Sequence, residues 1–189
     1  MRRIVSLFAA AAAALILTGC GSLFNLQLFI TGEQTSLEKQ VLGSYSALGE
    51  DLMLYGSVRG VDEEGSLVPP PATTDSMRAA FNAMRNREYN RDDVERLLVT
   101  GHAGEGNEGL LVPLEGGAPL TGLDPGFVMR IIEEENRDRE AIITRLQETI
   151  GQTQDAERGE IARIFADLNQ DAAPAGASVQ ERDGKWTRK

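Results

Sequence analysis

The sequence predicts a mainly α-helical (α+β) fold, in which a domain of about five helices carries a short edge strand and a C-terminal β-hairpin. Three observations lead to this prediction. Apolar residues recur at steps of three and four over most of the chain after residue 35, which is the spacing of one helix face. Residues that cap helix starts precede several of these stretches. Near the C-terminus, Asp183-Gly184 lies between strand-forming residues, the commonest short hairpin signal.

The N-terminus has the pattern of a signal peptide, predicted to occupy residues 1–19. Arg2 and Arg3 form a positive region, and residues 7–17 are an uninterrupted apolar run of eleven residues. As a helix, this run is too short to cross a hydrocarbon core of about 30 Å. It ends in Leu17-Thr18-Gly19-Cys20, which resembles the lipobox of bacterial lipoproteins. An ordinary signal peptide followed by a coincidental cysteine is the alternative.

The lipobox resemblance implies a membrane anchor. The Cys20 thiol would take a diacylglyceryl group, and a peptidase that recognises Leu17, Thr18 and Gly19 would cut before it, leaving a mature chain of 170 residues. Two or more acyl chains hold a protein stably at a membrane. Gly21 follows the cysteine where an aspartate would retain the protein, so the resemblance favours the outer membrane, facing the periplasm. Residues 20–32 would be the lipidated tether.

Charge and cysteine content exclude several classes of protein. Removal of Arg2 and Arg3 leaves 17 basic and 29 acidic residues, a net charge of −12. This charge argues against nucleic acid as a partner and against adhesion to anionic lipid headgroups. Cys20 is the only cysteine, so no internal disulfide can form. We expect no cofactor apart from the covalent lipid on Cys20.

Residues 33–100 form a predicted N-terminal helical region. Residues 23–30, just before it, alternate between apolar and polar, as in an edge strand or a membrane-proximal segment. Thr35 and Glu38 have capping-box spacing and predict a helix from about 36 to 55. The apolar stripe of this helix, predicted to be core, is Leu37, Val41, Tyr45, Leu48, Leu52 and Tyr55.

A proline-rich linker is predicted near 69–71, and two further helices follow it. Thr74 or Asp75 can cap the first, and Asn90 can cap the second, which Gly101 ends. Their apolar residues are Met77, Phe81 and Met84 in the first helix and Val94, Leu97 and Leu98 in the second.

Residues 101–189 form the predicted C-terminal domain. Residues 110–114 read as a short strand, in which Pro113 implies an edge position. Asp124-Pro125 starts a helix that is expected to run to Ile150, and another amphipathic helix ends near Pro174. Trp186, in the hairpin, is expected to pack on a helix.

The middle of the helix that follows Asp124-Pro125 is unusual, because residues 133–140 are all charged or polar. Glu133/Arg137 and Glu135/Arg139 have the favourable order for i,i+4 pairs. We expect this turn to be solvated.

No motif predicts a catalytic, nucleotide or metal site. Residues 104–109 match G-x-G-x-x-G, but a helix precedes them and a strand follows, the reverse of a dinucleotide loop. Glu105 and Glu108 would also repel a phosphate. Their spacing matches no EF-hand loop, and His102 is the only histidine, so no zinc site of the usual kind is expected. No G-x-S-x-G elbow is present.

Residues 97–189 resemble the YdbL-like family of small proteobacterial envelope proteins. The similar segments are residues 101–114, the charged helix around 134–139 and the ending 174–189, which closes on Gly-Lys-Trp-Thr-Arg-Lys. Ser178 departs from the family, which tends to have an aromatic residue there. The resemblance implies a non-catalytic accessory found beside envelope lipid-transfer components of the bridging AsmA-like type, whose assembly it would assist or regulate.

The leading functional hypothesis is therefore an accessory, assembly or interaction factor in the cell envelope, with an envelope protein as its partner. An unpaired edge strand can accept another strand, so the glycine turn and the strand beside it are the expected surface. The candidate interaction residues are Gly104, Glu105, Gly106, Gly109, Leu111 and Trp186. One alternative is an envelope enzyme acting on peptidoglycan, which needs a carboxylate pair converging in a deep pocket. Another is a lipid or small-ligand carrier, which needs a continuous apolar cavity.

Overall fold

The structure, a computed structural model, describes residues 34–57, 73–115, 117, 125–151 and 155–189. In this part the chain forms helices α1 (Ser36–Ser57), α2 (Asp75–Thr100), α3 (Pro125–Ile150) and α4 (Asp155–Ala172). The strands are β1 (Ala103–Glu105), β2 (Leu111–Pro113), β3 (Ser178–Gln180) and β4 (Trp186–Arg188). The mainly helical prediction with a small β element is confirmed. The signal peptide, the tether and the proline-rich linker lie outside the described residues.

Local capping determines where the first two described helices start. The Thr35 N–H donates to Glu38 Oε2 at 2.6 Å, and the Glu38 N–H donates to Thr35 Oγ1 at 3.2 Å. This is the predicted capping box. Thr74 accepts a hydrogen bond from the Met77 N–H and caps α2 in the same way. None of the helices in the described ranges combines the length and hydropathy needed to cross a bilayer.

Helix α2 is continuous where two helices were expected, so the described residues contain four helices and the prediction of five is wrong. Asn90 lies in the middle of α2 and caps nothing. No glycine or proline separates Met84 from Val94, and the apolar residues on either side of Asn90 are buried on the same helix. A single long helix therefore buries both sets without breaking its backbone hydrogen bonds.

The four strands form one sheet in the order β2-β1-β3-β4. β1 pairs antiparallel with β2 and parallel with β3, placing Gly104 beside Ser178 and Glu105 beside Val179. β3 and β4 form the predicted hairpin, and Gly184 in its loop has a φ of +87°. β2 lies at an edge, as Pro113 predicted, whereas β1 was not predicted at all.

The core consists of two hydrophobic clusters. Members of the first include Val41, Leu48, Phe81, Met84, Ile142, Leu146 and Phe165. Members of the second include Val94, Leu97, Leu98, Ala103, Leu111, Ile132 and Ala177. The predicted stripe of α1 belongs to the first cluster. Both clusters contain residues from before and after position 100, so the two predicted regions share a core.

Candidate functional site: a buried charged layer and two sheet edges

Arg139 of α3 lies at the centre of the structure and is only 1% exposed. Its Nη1 donates to Glu105 Oε2 at 2.6 Å, and its Nη2 donates to Glu105 Oε1 at 3.0 Å. This two-point pairing of guanidinium and carboxylate is a strong, direction-specific hydrogen-bond arrangement. Because Glu105 belongs to β1 and is 2% exposed, the pair ties the sheet to α3 at a buried position.

The same network reaches the other helices through Glu135. Glu135 Oε1 accepts from Arg139 Nε at 2.6 Å and from Arg87 Nε at 2.8 Å. Arg87 Nη2 in turn donates to Asn169 Oδ1 at 2.8 Å, which brings in α4. We call Arg87, Glu105, Glu135, Arg139 and Asn169 the charged layer.

The charges of the charged layer balance, with two guanidinium groups against two carboxylates. Burial raises the pKa of Glu135, but the guanidinium groups of Arg87 and Arg139 outweigh this effect and hold the pKa below its ordinary value. Burial lowers the pKa of Arg139, yet Glu105 and Glu135 raise it above its ordinary value. Both residues are therefore ionised at neutral pH and act as mutual counterions.

The sequence predicted that residues 133–140, in the middle of α3, are solvated. This prediction is wrong for Glu135 and Arg139, which are 2% and 1% exposed. The predicted Glu135/Arg139 pair does form, at 2.6 Å. It is buried because Arg87 and Glu105 complete its hydrogen bonds from other elements. Arg87 and Glu105 are both far from this pair in the sequence, so the residue pattern of α3 alone predicts a solvent-exposed face.

The glycine turn of residues 104–109 packs inside the fold. A Cβ on Gly104 would lie 2.5 Å from Trp186 Cζ3, and one on Gly106 would lie 2.7 Å from the Leu110 carbonyl oxygen. Gly109 has a φ of +82°, and a Cβ there would lie 2.9 Å from the Ala162 carbonyl oxygen. The glycines are therefore needed for close packing.

The six candidate interaction residues lie together around β1, but only one of them is exposed. Gly104, Glu105, Gly106, Gly109 and Leu111 are buried, and Trp186 is 38% exposed. The five buried residues present no surface to a partner. The indole of Trp186 lies against Gly104 of the sheet, whereas packing on a helix was expected.

The outer edge of β2 is closed by a side chain from α3. The Leu111 N–H donates to Asn136 Oδ1 at 2.8 Å, and Asn136 Nδ2 donates to the Leu111 carbonyl oxygen at 3.0 Å. Pro113, the next outward-facing residue, has no N–H. Asn136 thus takes the place of a neighbouring strand. Sequence reasoning missed it, because an asparagine within a charged run carries no signal of this role.

The outer edge of β4 is open. The Glu181 N–H donates to the Lys185 carbonyl oxygen and the Lys189 N–H to that of Ala177, so residues 185, 187 and 189 face β3. The backbone N–H and C=O groups of Trp186 and Arg188 therefore point away from the sheet. Within the described part of the chain, nothing hydrogen-bonds to these backbone groups. All three residues of β4 are exposed.

The remaining candidates do not form a chemical centre in the described ranges. His102 Nδ1 lies 2.9 Å from Thr100 Oγ1, a local hydrogen bond. No group of three or more potential metal ligands is found among the described residues. Leu17, Thr18, Gly19 and Cys20 lie outside the described residues.

No family model matches the chain, and neither a curated protein nor a solved structure matches it. The resemblance to the YdbL-like family therefore stays a prediction that rests on the residues quoted for it.

Proposed function

We propose that this chain is a non-catalytic lipoprotein that serves as an accessory or assembly factor for a protein complex of the cell envelope. Cys20 holds it by covalent lipid in the outer membrane, facing the periplasm. The resemblance of residues 97–189 suggests a lipid-transfer complex of the AsmA-like type. The lipobox supports the location, and the sheet supports the interaction.

The observation that carries the interaction is the open edge of β4. Its outward N–H and C=O groups can pair with an extended segment of another protein, the mode of recognition called strand addition. Trp186 belongs to this strand, and its indole, which is 38% exposed, lies over the sheet against Gly104 of β1, so the side chain does not block the outer edge. Because β2 is closed by Asn136, a partner strand can extend the sheet at the β4 edge only.

The charge around β4 indicates the kind of segment it would accept. Arg188 and Lys189 lie on or beside the strand, in a chain whose formal net charge is −10, whereas Lys185 is paired with Asp183 at 2.5 Å. A basic edge on an acidic protein favours a partner segment with acidic side chains and disfavours a second copy of the same edge.

The two alternatives need features that fit the described residues less well. A lipid carrier needs a continuous apolar cavity, but the charged layer and its ion pairs occupy the centre of the fold. An enzyme needs carboxylates that are available to substrate. Glu105 and Glu135, the most buried carboxylates, are each bonded to guanidinium groups.

The anchor is tested with Cys20→Ser. We expect this variant to leave the membrane fraction when cells are fractionated, because no acyl chain can be attached to serine by this route. A variant that stays fully membrane-bound would contradict the lipidated anchor and would leave the β4 interaction to be judged separately.

The interaction is tested with Arg188→Pro, which removes an outward N–H without touching a hydrogen bond to β3. A photo-crosslinker at position 187 should capture an envelope protein in cells, and Arg188→Pro should abolish this product. Arg188→Ala is the matched control, because it removes the same side chain but keeps the N–H. Equal crosslinking by the proline and alanine variants, or no crosslinked product at all, would reject strand addition at β4.

A further inference from the structure

Asn90 is a buried polar residue on α2. It is 8% exposed and lies on α2 between the buried residues Met84 and Val94. Its side-chain oxygen and nitrogen make no hydrogen bond to the described residues. Nearly all buried polar groups in proteins are hydrogen-bonded, whether to protein, to water or to a ligand, so an amide that the protein leaves unpaired on the wall of a cleft is available to a bound molecule.

Asn90 lines a cleft between α2 and α3. The cleft encloses about 350 Å³, within the range of about 300–1,000 Å³ that is typical of small-molecule sites. Its lining is polar and consists of Asn86, Tyr89, Asn90, Glu134, Arg137 and Asp138. It is separate from the charged layer and from the β4 edge, and neither accounts for it.

The chemistry of the lining selects among ligand classes. Two carboxylates and one guanidinium give the cleft a net charge of −1, which disfavours phosphates and other anions. The scarcity of apolar side chains disfavours a lipid. Asn86 Nδ2 donates to Asp138 Oδ1 at 3.2 Å, so the groups left for the hydroxyl groups of a sugar ring are the Glu134 carboxylate, the second oxygen of Asp138 and the Asn90 amide. The ring of Tyr89, which is 89% exposed, offers an apolar surface for stacking.

The Asn90 amide narrows the class of ligand further. A side-chain amide has one acceptor and one donor group side by side, and its best neutral complement is another amide. Sugars that carry an acetamido group present such an amide next to their hydroxyl groups. We propose that the cleft binds an N-acetylated sugar through Asn90, with Tyr89 stacking on the sugar ring.

The cleft binds the sugar but does not hydrolyse it. Glu134 and Asp138 are four residues apart on the same helix and lie on one wall of the cleft. A glycosidase instead places its two carboxylates on either side of the scissile bond. The proposal is independent of the lipid anchor and of the β4 edge, and its failure would leave both unchanged.

The test uses the full chain purified in detergent, titrated with triacetylchitotriose and, separately, with maltotriose, which has no acetamido group. We expect saturable binding of the first and at least tenfold weaker binding of the second. Asn90→Leu should abolish binding and also raise Tm, because it replaces an unpaired buried amide with an apolar side chain of similar size. Asn107→Leu makes the same change outside the cleft and should leave binding unaltered.

Tyr89→Ala provides a second variant at an exposed position, where the fold is not at risk. It should weaken binding of triacetylchitotriose without a change in Tm. Co-sedimentation with purified peptidoglycan sacculi then distinguishes a wall-bound source of the sugar from a soluble one. No saturable binding by the unaltered chain, or unchanged binding by both Asn90→Leu and Tyr89→Ala, would overturn the proposal.

Discussion

Arg139 is the residue on which most of the interior depends. It donates to Glu105 on β1, to Glu135 on its own helix and to the carbonyl oxygen of Gly109 in the glycine turn. A buried ion pair contributes little net stability relative to apolar side chains, but removing one partner leaves an uncompensated charge. The two carboxylates differ in this respect, because Glu135 keeps Arg87 when Arg139 is lost, whereas Glu105 forms no ion pair with a second cation among the described residues.

We therefore predict that Arg139→Met lowers the free energy of unfolding by about 3–5 kcal/mol, since it leaves the buried carboxylate of Glu105 without a counterion. The double variant Glu105→Leu/Arg139→Met should recover most of this loss. Urea denaturation of both proteins measures the difference. Arg163→Met is the control, because its pair with Glu160 is exposed, and it should change stability by less than about 0.5 kcal/mol. A double variant as unstable as the single one would mean that the unpaired charge is not the cause.

At the scale of elements, the sheet has two unlike edges. β2 is closed by the Asn136 side chain, and β4 presents unpaired backbone groups beside Trp186. Proteins commonly cover or interrupt sheet edges because an open edge can pair with other chains. Because one edge is closed and the other is open, a strand of another protein can pair with β4 but not with β2.

Asn136→Ala should open the β2 edge. It leaves the N–H and C=O of Leu111, a residue 2% exposed, without partners, and we expect a loss of about 1–3 kcal/mol in the free energy of unfolding. We also expect concentration-dependent association in light scattering, because the new edge can pair between molecules. Asn107→Ala, which removes an exposed side-chain hydrogen bond to Glu181, is the control. A monomeric variant of unchanged stability would show that Asn136 does not protect this edge.

For the whole molecule, the charged layer makes stability depend on pH. Burial raises the pKa of Glu135, but Arg87 and Arg139 lower it further, so the folded-state pKa lies below the ordinary 4.5. The unfolded chain then takes up this proton more readily than the folded one. The stabilisation from Glu135 is complete above pH 4.5 and is lost as pH falls through the folded-state pKa.

We predict that the free energy of unfolding decreases below pH 4.5 and that Glu135→Gln makes this decrease shallower. Asp138 acts in the opposite direction, because burial raises its pKa and its protonation favours the folded state. Asp138→Asn should therefore make the decrease steeper. Denaturation curves collected at a series of pH values give the slopes. If the free energy of unfolding has the same slope against pH in the original chain and in Glu135→Gln, groups other than Glu135 cause the acid sensitivity.

The sequence by itself determined the features that depend on neighbouring residues. The capping box at Thr35 and Glu38, the stop at Gly101 and the hairpin around Gly184 are read correctly because each is made by hydrogen bonds within a few positions. Pro113 indicated an edge for the same local reason. The predicted lipidation of Cys20 also rests on adjacent residues alone.

The tertiary structure decided which polar residues are buried and which sheet edge is open. Glu105 and Arg139 are 34 positions apart, and Leu111 and Asn136 are 25 apart, so nothing in the local pattern indicates that they meet. A charged helix face reads as solvent-exposed unless its counterions are supplied from other elements. Here Arg87 and Glu105 supply them, because the chain returns β1 and α2 to the same side of α3, and only the folded chain brings these charges together.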